Sequence, residues 1–299
     1  MDLSILIPAY NQSCLELVRS LQQLCRAEGA SYEIVVADDG STDETARREN
    51  ASVGELEGCR AIMQPQNCGR AATRNLLVRE SRGDHLLFID SDARVVSQAF
   101  IASYLQMLPT EAVVCGGIVH ADELPDESVS LRWRYEKSCE PQFTAGQRST
   151  HPYQCLRTFN ILLPRNVALA YPFDERVRNY GYEDVLLGRA LEQAGIEVRH
   201  IDNPLLNYDL EDNAAFLEKT RESMRTLQSA ETELRGYSSL LRIYDRMRRF
   251  QLTRPLAALY QMFHSAAERN LLGPNPSIRL LQLYKLCYYC DIKRKGCRV

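Results

Sequence analysis

Through its first 120 residues the chain alternates short apolar runs with stretches of helical period. Leu3–Ile7, Glu33–Ala37, Arg60–Met63 and His85–Ile89 are apolar runs bounded by polar turns. Runs of this length predict strands of a sheet buried on both faces. Between the first two, Leu15, Val18, Leu21, Gln22 and Cys25 fall on one helical face. A helix over Thr42–Asn50 is predicted to open at a Ser41-x-x-Glu44 capping box, and another runs from about Arg70 to Arg82. A helix near Gln98–Leu108 precedes a strand at Ala112–Val119. Such alternation predicts an α/β fold with a mainly parallel sheet flanked by helices on both faces.

Beyond that point the pattern changes. Ala121–Asn160 is polar, contains the single tryptophan, Trp133, and predicts helix and loop. Thr158–Pro164 and Ile196–Ile201 read as strands, and Glu183–Gly195 as a helix stopped by its glycine. After Glu211 the pattern is almost wholly helical, with breaks expected at Pro255 and at Gly273-Pro274-Asn275-Pro276. The expected division is 1–210 for the α/β domain, with halves 1–120 and 121–210, and 211–299 for a helical C-terminal extension.

At 299 residues, 45% hydrophobic and 25% charged, the composition is that of a globular protein. No basic start leads into a long apolar stretch, and no run reaches the roughly 18 to 20 apolar residues that span a bilayer. Ten cysteines without an export signal predict reduced thiols in a cytoplasm. Cys287, Cys290 and Cys297 lack a second pair at metal spacing, which argues against a zinc site. The net charge of −3 hides an asymmetry: from Asn213 to Val299 there are 16 basic and 7 acidic residues, a net of +9 against −12 for the remainder. An acidic body argues against a nucleic-acid partner. The basic tail leaves open an anionic surface.

The candidate chemistry follows the strands. His85–Ile89 runs into Asp90-Ser91-Asp92, two carboxylates at the carboxyl end of a strand, where open α/β sheets bind ligands. Two hard oxygen donors there suit Mg²⁺ or Mn²⁺, although Asp and Ser are also ordinary turn residues. The first strand ends Pro8-Ala9-Tyr10-Asn11, with proline releasing the chain from the ladder, and the second ends Asp38-Asp39-Gly40-Ser41. Acidic side chains at that edge could accept from a base N–H or a ribose hydroxyl. They could equally serve a turn and a helix cap. Asn67-Cys68-Gly69-Arg70 opens a helix that also carries Arg74 and Asn75, a reasonable anion site or equally a place where surface arginines pair with nearby acids.

These segments together resemble glycosyltransferase family 2, whose nucleotide-sugar half has the GT-A (Rossmann-like) fold. In that family a P-x-Y-N turn follows the first strand and DDGS-x-D the second. N-x-G-x-x-x-x-R-N then opens a helix, and D-x-D ends the fourth strand. All four occur here in order, followed by Phe173-Asp174-Glu175 and by Tyr180-Gly181-Tyr182-Glu183-Asp184. The resemblance covers residues 2 to about 210. It implies that Pro8, Ala9, Tyr10 and Asn11 pack around the base, that Asp39 contacts it, and that Asn67, Gly69 and Arg74 lie near the diphosphate. Asp92 and, directly or through water, Asp90 would hold Mn²⁺ or Mg²⁺, with Ser91 between them. Asp184 would be the base for an inverting displacement, and Glu183 would orient it or contact the acceptor.

The resemblance implies a nucleotide-sugar donor, first of all a UDP-sugar, and a saccharide or lipid-linked glycan acceptor. One position departs from the pattern: Asn207 stands where family members often carry a metal-ligating histidine, while His200 lies too early and reads as a strand residue. Acceptor contacts are expected from Ala121–Arg157, where Trp133, Tyr135, Arg148 and Tyr153 could hold a saccharide or simply pack. In the tail, Leu240, Leu241, Tyr244 and Met247 follow helical spacing, and Arg242, Arg246, Arg248 and Arg249 crowd the same helix. Residues 236–299 therefore offer peripheral membrane contact at the inner face of the cell membrane, or helices that pack on the catalytic body or on a second copy in a homo-oligomer. Other readings are a noncatalytic nucleotide-sugar-binding protein and a haloacid-dehalogenase-type phosphatase, which also places D-x-D after an apolar strand.

Overall fold

The computed structural model describes residues 1–176 and 180–296, which leaves Cys297 outside the described residues. The chain forms two compact units: Met1–His120 with Gln142–Arg178 and Glu183–Asp209, and Ala121–Pro141 with Asn179–Tyr182 and Leu210–Val299. The first is built on β1 (Leu3–Ala9), β2 (Tyr32–Asp38), β3 (Cys59–Met63) and β4 (His85–Ile89). α1 (Leu15–Ala27), α2 (Glu44–Ser52) and α3 (Arg70–Glu80) connect them. Then follow β5 (Ala93–Arg94), α4 (Phe100–Leu105), β6 (Val113–Cys115) and β7 (Ile118–His120). After α5 (Ser130–Cys139), which belongs to the second unit, come α6 (Ala145–Ser149), β8 (Asn160–Pro164), α7 (Arg165–Ala170), α8 (Glu183–Gln193), β9 (Val198–His200) and β10 (Leu205–Asn207).

The seven-stranded sheet has the order β3-β2-β1-β4-β8-β6-β9, and a three-stranded sheet has the order β5-β10-β7. The large sheet is mainly parallel, with β8 antiparallel to both β4 and β6. Side-chain alternation splits its core into two layers. Leu3, Ile5, Ile7, Ile34 and Val36 pack on one face with Leu17, Val18 and Leu21 of α1 and Phe100 of α4. Leu6, Val35, Leu86 and Phe88 pack on the other with Leu77 of α3, Val167 of α7 and Leu187 of α8. This two-sided burial is why the strands read as continuous apolar runs.

Several expected boundaries shift. Ala112–Val119 is two strands, β6 and β7, in different sheets. The chain turns at Gly116, where a Cβ would lie 2.4 Å from both the Asn160 amide nitrogen and the Tyr104 hydroxyl. The helix near Gln98–Leu108 shortens to α4. The cap of α2 is Asp43, which accepts from Ala46 N at 2.8 Å, and not Ser41, whose hydroxyl accepts instead from Asn11 N at 2.8 Å. Pro8 stays in register with Ala37 on β2, but β1 pairs with β4 only as far as Leu6, so proline costs no ladder bond on that side.

The second unit joins α5 to α9 (Asn213–Ser229), α10 (Glu231–Leu234), α11 (Ser239–Arg249), α12 (Thr253–Leu271) and α13 (Ile278–Gly296). Leu131, Phe216, Leu217, Leu271, Leu281 and Tyr284 form its core. The break expected at Pro255 lies instead at 250–252. Pro255 sits in the first turn of α12, where a missing N–H costs nothing. Among the described residues no helix is long and apolar enough to cross a membrane.

Candidate functional site

The carboxyl edge of the large sheet gathers the polar turns. After β1, Asn11 adopts φ +53°, and its Oδ1 accepts from Thr42 N at 2.7 Å and Asp43 N at 3.0 Å. This ties the turn after β1 to the turn after β2 and leaves Tyr10 45% exposed beside Pro8 and buried Ala9. The two aspartates after β2 differ in use. Asp38 is fully buried and serves structure, accepting from Ser41 N at 2.8 Å and Asn50 Nδ2 at 2.9 Å.

Asp39 holds the entrance to α3. Its Oδ1 accepts from Cys68 N at 2.7 Å and Gln64 Nε2 at 2.9 Å, and its Oδ2 from Gly69 N at 2.9 Å. A second lone pair on Oδ2 remains for another donor. Gly40 makes the turn, with φ +69°; a Cβ there would lie 2.4 Å from the Gln66 carbonyl carbon. Gly69, at φ +94°, precedes α3, and Asn67 is exposed on the same loop.

Arg74 is the centre of the edge. It is 2% exposed, and one guanidinium nitrogen donates to Asp90 Oδ1 at 2.7 Å. Its other terminal nitrogen and its Nε are buried and donate to nothing. The guanidinium also lies 5.5 Å from the Phe173 ring centroid, and Phe173 is fixed by Asn75, which donates to its carbonyl at 2.9 Å and accepts from its N–H at 2.9 Å. Buried guanidinium donors without acceptors are costly. Their natural complement is an anion.

Asp90, Ser91 and Asp92 leave β4 in a tight turn closed by Ala93 N donating to Asp90 O at 3.1 Å, and all three are half-buried. Tyr208 N donates to Asp92 O at 3.3 Å, and Asn207 pairs in register with Ala93 and His120. Asn207 is 6% exposed, and its Oδ1 is buried and accepts nothing. Strand alternation puts Asn207 on the inner face with Ala93 and Leu205, while Tyr208 shares the face of Arg94, which stacks 4.5 Å over its ring. The two carboxylates of this turn suit a hard divalent cation such as Mn²⁺ or Mg²⁺. Among the described residues no three His, Cys, Asp or Glu side chains form a metal-binding group, so water and ligand oxygens would complete the shell. His200 is a strand residue, held by Arg148 at 3.1 Å and the Pro152 carbonyl at 2.9 Å.

Asp184 lies in the first turn of α8, where the helix dipole favours an acid. Burial, and then the charge of Glu183, nevertheless push its carboxyl up to about 6, against the opposing pull of Arg157, Arg74 and the Thr158 hydroxyl, which donates to it at 2.8 Å. Glu183 lies 3.6 Å from Arg70. Arg70 and Arg74, one turn apart on α3, thus link the acids after β4 to those opening α8. Just before α8, Tyr182 holds φ +71°, a backbone state that costs a non-glycine residue energy.

Thr158 and Arg157 were not legible as site residues. They precede an antiparallel strand, whose amino end falls at the edge where the parallel strands end, and no motif marks that reversal. The residues expected either to contact an acceptor or to pack make contacts within the protein. Trp133 Nε1 donates to Ala121 O at 2.8 Å, and Tyr135 packs on Phe216 at 5.6 Å. Arg148 is buried and donates to the carbonyls of Ile201 at 2.9 Å and Phe143 at 3.0 Å, while Tyr153 packs beside the second core layer. A cavity of about 670 Å³ between Asn75, Leu169 and Asp174 lies toward the carboxyl end of α3 and is not lined by the triplet.

With this geometry in place, comparison with known proteins assigns the class. The glycosyl transferase family 2 model matches residues 4–162, and the chain belongs to that family. This sets aside the phosphatase alternative. An undecaprenyl-phosphate 4-deoxy-4-formamido-L-arabinose transferase of Pseudomonas paraeruginosa is 38% identical over 93 residues, 30% of this chain and 27% of that protein. The chain spans about half or less of the length of the curated relatives it matches. Two solved structures share the fold. One is a mannosyltransferase of Pyrobaculum calidifontis in complex with GDP-Man and Mn²⁺, with a TM-score of 0.58 and 14% identity over 99% of this chain and 88% of that one. The other is S. aureus TarS 1-349 in complex with UDP-GlcNAc, with a TM-score of 0.54 and 15% identity over 99% of this chain and 92% of that one. The GT-A sheet and the helical C-terminal region are those of this fold.

Proposed function

We propose that the protein is an inverting glycosyltransferase that moves a sugar from a nucleotide sugar, first of all a UDP-sugar, to a hydroxyl of a saccharide or lipid-linked glycan. The observation that carries this reading is Arg74: a buried guanidinium, paired on one side to Asp90, with two unsatisfied donors at the edge where the family binds its donor. A diphosphate supplies the acceptors those N–H groups lack. Tyr10, with Pro8, Ala9 and Asn11, offers the base a partly exposed aromatic wall, and the free lone pair of Asp39 accepts from a base N–H. Asn67 and Gly69 sit at the start of α3, where backbone N–H groups and the helix dipole favour phosphate.

Asp90 and Asp92, with Ser91 between them and Asn207 as a further oxygen, would hold Mn²⁺ or Mg²⁺, which supplies charge neutralisation for the leaving diphosphate. Asp184 takes the proton from the acceptor hydroxyl. That oxygen forms its bond to the anomeric carbon as the bond to the diphosphate oxygen breaks, and a single displacement inverts the centre. Glu183 raises the proton affinity of its neighbour and, held beside Arg70, orients it. A saccharide hydroxyl is a weak nucleophile, and a base poised near neutrality is what its attack needs.

Thermal melting of the full chain with Mn²⁺ and UDP-, GDP- or dTDP-sugars tests the donor class. One family of nucleotide sugars is expected to raise the melting temperature, with the increase reversed by EDTA. No stabilisation by any of them at millimolar concentration would contradict the reading.

A further inference from the structure

The helical unit exposes a face that its own core does not need. α11 buries Leu240, Leu241 and Tyr244 and turns Arg242, Ile243, Arg246 and Arg249 outward. α12 buries Ala257 and Leu271, while its Tyr260 packs on Tyr284 and Tyr288 of α13. At 100° per residue, Leu252, Leu259, Met262 and Phe263 fall within a stripe about 100° wide, away from that packed side. All four are exposed, Met262 at 72% and Phe263 at 52%. Between the helices the turn at 250–252, with Gln251 at φ +59°, holds Phe250 out at 68% exposure, and Ile243 joins it at 46%. Single exposed apolar residues need no explanation, but six on one helix-turn-helix do.

The same segment is strongly basic. Residues 239–254 contain five arginines and one acid. Arg242, Arg246, Arg248, Arg249 and Arg254 are all exposed, and the one acid, Asp245, is taken by Arg235 from outside the segment at 2.6 Å.

We propose that this face, α11 with the 250–252 turn and the outer stripe of α12, docks the protein on an anionic lipid bilayer. Phe250, Met262 and Phe263 would enter the acyl boundary, with the arginines at the headgroups. Apolar side chains beside arginines are what an interfacial helix pair presents. A polyanion such as RNA gives no role to Met262 and Phe263. A second copy meeting the same face across a twofold axis would set five arginines against five. The proposal rests on the helical unit alone and stands or falls separately from the catalytic reading. If both hold, it brings the enzyme to the surface where a lipid-linked acceptor lies.

Flotation of the full chain with phosphatidylcholine vesicles, with and without phosphatidylglycerol, tests it. Binding is expected to the anionic vesicles at low salt and to weaken as salt rises. Replacing Arg242, Arg246 and Arg249 by Gln should lower the partition coefficient on the order of a hundredfold, as expected for three basic side chains at an anionic surface. Phe250→Ser with Met262→Ser and Phe263→Ser should lower it by at least tenfold while leaving the melting temperature unchanged, since all three side chains are exposed. No binding to anionic vesicles at low salt would overturn the proposal. So would binding indifferent to both triple variants, or an apolar triple variant whose only effect is to abolish self-association in light scattering.

Discussion

Asp184→Asn is expected to lower sugar transfer by about a thousandfold while leaving donor affinity within a few-fold of wild type, the size of effect that removal of a general base produces. Asn keeps the shape and the hydrogen bond from Thr158 but cannot take a proton. The carboxyl is raised to about 6 by burial and by Glu183. Wild-type turnover should therefore rise with pH as this group ionises and level off above pH 7. The variant's residual activity should not follow that profile.

The same shift has a stability sign. Between the ordinary aspartate range and pH 6 the folded protein holds a proton that the unfolded chain has released, so stability falls as pH rises across that window. Keeping Asp184 ionised inside the fold at neutral pH therefore carries a cost, set by burial first and by the charge of Glu183 second. Asp184→Asn removes that cost and should melt higher than wild type at pH 8, with the difference shrinking toward pH 4. Lost activity together with a raised melting temperature separates a strained functional acid from a structural one. A variant that melts lower at pH 8, with activity intact, would contradict the assignment.

Arg74→Gln should weaken nucleotide binding by ten- to a hundredfold, since a charge-assisted hydrogen bond to an anion is worth about 1.5 to 3 kcal/mol. Its effect on folding should be far smaller than burial alone suggests. The guanidinium makes one ion pair in the fold and leaves two donors unsatisfied, so removing it also removes a desolvation cost. Titration of the nucleoside diphosphate by calorimetry, beside a melting curve, distinguishes the two roles. Unchanged affinity with a large drop in melting temperature would make Arg74 a structural residue only.

Much of this site was legible because its parts lie next to strands whose sequence is unambiguous. Leu3–Ile7 and His85–Ile89 are covered on both faces, so their apolar runs mark strand ends to within a residue or two, and the polar groups after them fall at one edge. What escaped was whatever depends on chain direction or on competition between equivalent side chains. Nothing in Asn160–Pro164 says that it runs antiparallel, and with that reversal come Arg157 and Thr158 beside Asp184. The Ser41-x-x-Glu44 pattern is a sound cap in isolation, but Asn11 draws the Ser41 hydroxyl and Asp43 takes the cap. Gly116 breaks a run that otherwise reads as one strand, because only a hydrogen atom fits against Asn160 and Tyr104. Arg148 could be read as a saccharide contact or as a packing residue, and it is a buried donor to backbone carbonyls. An orphaned guanidinium cannot be seen in a sequence at all: it is a property of the packing around Arg74.

The most direct measurement is a crystal structure of the full chain grown with Mn²⁺ and the nucleoside diphosphate that stabilises it best, with anomalous data collected for manganese. A manganese peak is expected beside Asp92, with a diphosphate oxygen accepting from the free donors of Arg74 and the base against Tyr10 within reach of Asp39. A nucleotide bound elsewhere, or manganese away from the Asp90-Ser91-Asp92 turn while Arg74 keeps its donors unpaired, would contradict this reading.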